Sequence, residues 1–182
     1  KELQKAMEDI WQRSRQVAAI AYVLAETTPG LNKDHALLCG LIHDIGAVPV
    51  ICYAESYVDI WADEQNLQEA IHELKGELGS TLLEHWGFAD DLIDVVNHAE
   101  DWGYESKSEE PSYADLVIVA KMHTLIGKPG QKELPPFNSI PAFRKLANGG
   151  LTPQKSLKIL VEARHKIEEV LNLLGPEYLV AV

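Results

Sequence analysis

Apolar side chains recur at three- and four-residue steps through the first 25 residues: Leu3, Met7, Ile10, Val17, Ala21 and Leu24, with Ser14 in register. Trp11, Ala18 and Ala25 widen the stripe. This is the period of a long α-helix with one buried face. Pro29 and Gly30 end it. A second helix is predicted from Asn32 or Asp34 through "HALLCGLI", limited by Gly46 and Pro49. "AESYVDIWADEQNLQEAIHEL" reads as one or two short helices, and "GELGSTLLEHWGF" as the next, with Gly87 as its C-cap. Gly76 and Gly79 are poor helix formers that allow a neighbouring helix to approach closely.

"ADDLIDVVNHAEDW" is amphipathic, with Leu92, Val95, Val96 and Ala99 inward and acidic residues in its first turn. After the polar loop "GYESKSEEPS", a helix capped at Ser112 and stopped at Gly127 is expected, then an irregular Pro- and Gly-rich stretch over 128–139. Thr152 and Pro153 open a last helix that Gly175-Pro176 closes. No stretch alternates like a strand, and no repeat is visible. The pattern predicts an all-α chain forming a single domain over 1–182.

Composition narrows the function classes. Lys plus Arg total 16 against 28 Asp plus Glu, for a net charge of −12. That excess is wrong for a nucleic-acid binder, which needs a basic footprint. Cys39 and Cys52 sit in apolar context without a C-x-x-C pairing, as in a reduced cytoplasmic protein. No signal peptide is evident, and no apolar run reaches the ~20 residues that span a membrane.

Phosphate-cradling, zincin and nucleophile-elbow motifs are missing from the sequence. Of the seven histidines, His35, His72, His85 and His165 lie among polar neighbours and read as helix surface. His43 differs: with Asp44 it lies inside "LLCGLIHDIGAVPV", where both are costly unless satisfied. Near a helix end, before Gly46, the two side chains can converge, and a His-carboxylate pair suits a hard divalent cation. The structural alternative is a His43 bonded to a backbone carbonyl and an Asp44 capping the turn.

"GLIHDIG" resembles the doublet of the HD superfamily of metal-dependent phosphohydrolases. The ordered segments "DIWQRSRQVAAIAYVLAE", "ELGSTLLEHWGFADDLIDVVNHAE" and "PAFRKLANGGLTPQKSLKILVEARHKIEEVL" bring the chain closer to one branch, the HD-related output domain (HDOD) family. The resemblance implies an HD-domain-like multi-helix bundle. It also implies metal-ligand positions, which this chain fills unevenly. His43 and Asp44 are present. The histidine two residues after the first-helix Trp is Arg13 here, and that of the "H-a-e-v-G" segment is Lys75. Of an adjacent histidine pair, His98 survives and Ala99 replaces the other. The closing aspartate falls on Lys121, and Asp115 could substitute only through a shift of more than one turn. A monovalent cation about 4 Å from a divalent metal costs on the order of 8 kcal/mol at an effective dielectric of 20.

The resemblance with three cations at ligand positions implies a non-catalytic bacterial signalling domain, working through a protein partner, an attached signalling domain or a second copy. No cofactor, nucleic acid or membrane is expected. Two alternatives stay open. One is a phosphohydrolase or cyclic-nucleotide phosphodiesterase using Mn, Fe or Mg on His43, Asp44 and His98. The other is a sensor holding a nucleotide or anion with Arg13, Lys75 and Lys121. The first helix begins almost at residue 1, whereas the family usually has helices before it. An apolar patch on or beside residues 3–25 is therefore expected.

Overall fold

The computed structural model describes residues 2–57, 64–126, 134–148 and 150–175. In it, α1 (Glu2–Ala25) is followed by α2 (Lys33–Ile42), α3 (Ala47–Ala54) and α4 (Glu64–His85). Then come α5 (Asp90–His98), α6 (Tyr113–Leu125), a 3₁₀ turn (Phe137–Ser139) and α7 (Pro141–Asn148). α8 (Pro153–Glu162) and α9 (Arg164–Leu173) close the described chain. No strand occurs among the described residues.

The axis of the bundle is α6, where every side chain from Ala114 to Met122 is buried. Its start is held by a capping box: Ser112 Oγ accepts from the Asp115 amide while Asp115 Oδ2 accepts from the Ser112 amide. Helices α1, α2, α5 and α7 pack around it and build the main core with Leu24, Leu83, Val95 and Phe143. A smaller cluster joins Ile10 of α1, Val50 and Ile51 of α3, and Leu67 and Ile71 of α4. Buried Arg15 ties α9 to α1 by donating to the Leu171 carbonyl.

Ser112 caps α6, Thr152 caps α8, and Gly87 takes a positive φ of 71° after α4, all as the sequence predicts, and Asn32, one of two starts the sequence leaves open, caps α2. Two expectations are corrected. "NLQEAIHEL" and "GELGSTLLEH" form one continuous helix, α4, because packing on both sides of Gly76 and Gly79 overrides their weak propensity. The last helix is two, broken at Ala163, whose backbone leaves the helical region at φ −88°, ψ 8°. On the described part of α1 itself, the exposed large apolar residue is Met7. Gly127 and residues 128–133 lie outside the described residues.

One stretch, Lys33–Ala54, is long and apolar enough by composition to cross a membrane. The structure instead breaks it into α2 and α3 around His43–Gly46, and half of its most apolar window is buried inside the bundle.

Candidate functional site

The turn between α2 and α3 carries the doublet. Gly46 and Gly79 press this turn onto α4: a Cβ on Gly46 would stand 1.8 Å from the Lys75 carbonyl oxygen, and Gly46 N lies 3.1 Å from the ideal Cβ position of Gly79. That approach brings Lys75 beside Asp44. From the other side α6 contributes Lys121, and the residue pair after α5 contributes Glu100.

These four side chains form a closed ring of alternating charge. Lys75 Nζ donates to Asp44 Oδ1 at 2.8 Å and to Glu100 Oε1 at 2.6 Å. Lys121 Nζ donates to the same two oxygens at 3.2 and 2.6 Å. Two carboxylates and two ammonium groups cancel. Asp44 and Lys121 are buried, Lys75 nearly so, and Glu100 a quarter exposed. On the open side His72 Nδ1 lies 2.9 Å from Glu100 Oε2.

His43 completes the inner wall with no exposure of its side chain. Its Nδ1 donates to the Gly40 carbonyl at 2.6 Å. Burial is the largest influence on its pKa and lowers it, against the attraction of Asp44. Its Nε2 lies 3.3 Å from Asp44 Oδ2.

Burial works against ionising Asp44, but His43, Lys121 and Lys75 outweigh it and hold the carboxyl well below its ordinary range. Glu100 is likewise opposed by burial and pulled down to about 2 by Lys121 and Lys75. Burial and the neighbouring Lys75 lower Lys121, against the attraction of both carboxylates. Lys75, better solvated, is raised because Asp44 and Glu100 outweigh its burial.

A pH dependence follows. Both carboxyls have folded values below their unfolded ones, so their contribution is complete above the ordinary carboxyl range and is lost as pH falls toward 2. His43 acts in the same direction from its ordinary 6.5 downward, since the unfolded state takes up its proton first. Urea midpoints measured from pH 7 to pH 3 are expected to decline steadily. A midpoint unchanged between pH 5 and pH 3 would contradict the charged ring.

The structure brings together His43, Asp44, Lys75 and Lys121 of the residues singled out in the sequence. Arg13 shares no hydrogen bond or ion pair with them among the described residues. His98 lies on another face, stacked on Tyr104 at 4.0 Å and paired with Asp94 and Asp101. Asp115 is held at the start of α6, 3.9 Å from Lys145, not at the ring. Sequence reasoning missed Glu100. Charge balance could have found it: two lysines aimed at one buried aspartate require a second carboxylate.

The donor set does not fit a divalent cation. The inward oxygens, Asp44 Oδ1 and Glu100 Oε1, are both engaged by ammonium groups. No group of three or more His, Cys, Asp or Glu among the described residues is arranged to hold a metal. Beside the ring is a cavity of about 400 Å³ lined by His43, Lys75 and Glu100, with the carboxylates Glu73, Glu77 and Asp101 also in its wall.

The model of the HDOD domain matches residues 1–102, more than half of the chain. The chain belongs to the HDOD domain family. Two solved structures share this HDOD fold. A protein of Shewanella amazonensis SB2B, described as a candidate metal-dependent phosphohydrolase, superposes with a TM-score of 0.73 at 25% identity over 92% of this chain and 60% of its own. An HDOD domain protein of unknown function from Geobacter sulfurreducens gives 0.63 at 19% identity over 95% and 63%. The chain thus spans somewhat under two thirds of either protein. No curated protein sequence matches it.

Proposed function

We propose that this HDOD domain is a non-catalytic regulatory module of the bacterial cytoplasm that works through contacts with a protein partner or an attached signalling domain. The observation that carries the reading is the Asp44–Lys75–Glu100–Lys121 ring. Hydrolysis of a phosphoester at such a site would need a metal to activate water. Here Lys75 and Lys121 supply the positive charge instead and use it up on Asp44 and Glu100.

The phosphohydrolase alternative draws on the description of the Shewanella amazonensis protein, at 25% identity. The inward-facing ammonium groups count against it. An anion or nucleotide sensor is also disfavoured, since the cavity beside the ring has Glu73, Glu77 and Asp101 in its wall and both lysines already neutralised.

Elemental analysis of protein purified from medium supplemented with Mn, Fe, Ni and Mg is expected to find metal far below one ion per chain. Assays on a generic phosphodiester and on cyclic dinucleotides, with and without Mn, are expected to show no turnover above buffer. Stoichiometric metal, or hydrolysis that depends on Mn and vanishes in Asp44→Ala, would reverse the reading in favour of the enzyme.

A further inference from the structure

We propose that the exposed ridge of α4 docks a basic amphipathic helix of a partner protein. The proposal rests on the regulatory reading and names the surface through which it would work. Leu74, Leu78, Leu82 and Trp86 follow one another at four-residue steps. Leu74 is 44% exposed, Leu78 37% and Trp86 56%, with Leu82 half-buried between them. Phe88 extends the ridge past the Gly87 turn, its ring centroid 6.3 Å from that of Trp86. Side chains at i and i+4 form the ridges that pack into the grooves of a second helix. Twelve residues of helix make this one about 18 Å long. No other described helix presents so long a run of large apolar side chains to water.

The charge beside the ridge selects the occupant. Glu73, Glu77 and Glu84 are exposed and carry no ion-pair partner among the described residues. The one lysine of α4, Lys75, is turned inward into the ring, and His72 is engaged by Glu100. The ridge is thus apolar with an uncompensated row of carboxylates alongside. A helix with leucine-like anchors and flanking Lys or Arg matches both features. A second copy matches the first only: it would bring its own carboxylates to the interface, on a chain of net charge −12. Anionic lipid meets the same repulsion.

The test is calorimetric titration of the full chain with a short synthetic helix of Leu and Lys, and with its Leu and Glu counterpart. The Lys peptide is expected to bind and the Glu peptide to show no heat. Leu78→Asp and Trp86→Ala should each weaken binding about tenfold or more, as truncating an interface anchor does. Glu77→Lys should weaken it and flatten its salt dependence. Circular dichroism checks that these surface variants remain folded. The proposal is overturned if the Lys peptide fails to bind, or binds Leu78→Asp unchanged. It is equally overturned if sedimentation shows a dimer that Leu78→Asp dissolves, or if anionic vesicles take up the chain through Trp86. Metal-dependent hydrolysis in the wild type would instead remove the regulatory reading and leave the peptide result standing, so the two failures are distinguishable.

Discussion

Replacing Asp44 with Ala is expected to lower the unfolding free energy by about 3–5 kcal/mol, the range for a buried ion pair stripped of one partner. The residue is the hub of the ring: Oδ1 accepts from both Lys75 and Lys121, and only Glu100 would remain to balance them. Lys75 has a route to water, because its side chain is 14% exposed. Lys121 has none at 5%, rooted in the buried middle of α6. The cost therefore falls on Lys121, an ammonium in the core with one carboxylate to share. Adding Lys121→Met to Asp44→Ala should recover part of the loss, since Lys75 and Glu100 then form a neutral pair. Urea unfolding of the two single variants and the double variant closes the cycle, with a coupling of about 0.5–3 kcal/mol expected for directly paired groups. Strictly additive losses would mean that the four residues do not act as one unit, and the idea that lysines hold this cavity together would fail.

The same geometry explains what could be read from the sequence. Helical period located most of the fold, because most helices bury one stripe against α6 or α1, and α4 buries its own against α3 and α5. It split α4 before Gly76, since glycine weakens a helix locally while packing on both sides restores it. It also missed the break at Ala163, a residue with high helix propensity that nothing local marks as a stop. At the site, His43, Asp44, Lys75 and Lys121 were accessible because each falls at a definable place in a motif. His98 and Glu100 were not separable in the same way. They are two residues apart, about 200° around a helix, and only the packing of α5 on α6 decides which faces the lysines. His98 turns toward Tyr104, and Glu100, beyond the end of α5, turns inward. Arg13 is the converse case: a charged residue at a family ligand position that the ring does not use.

A single methyl group at Gly46 is expected to do damage of the same order, at or above the ~1–3 kcal/mol typical of overpacking. Its Cβ would stand 1.8 Å from the Lys75 carbonyl oxygen and 2.6 Å from the Gly79 nitrogen. Both are backbone atoms of α4, so no side-chain rotation relieves the clash, and the turn must lift away from the helix. Lifting it separates Ala47, Val50 and Ile51 from Leu67 and Ile71, and draws Asp44 away from Lys75. Core and ring would loosen together, so Gly46→Ala should also shrink the acid sensitivity assigned to the ring. Gly76→Ala is the control, one residue beyond Lys75 on the same helix. A Cβ there meets nothing closer than the Asn97 carbonyl oxygen at 3.6 Å, an ordinary contact. It should stabilise α4 by roughly 0.5–1 kcal/mol, through helix propensity and a less flexible unfolded chain. The same chemical change is thus expected to have opposite signs at two glycines that both flank Lys75 in space. Equal effects in thermal unfolding would show that the close approach of the doublet turn to α4 does not position Lys75.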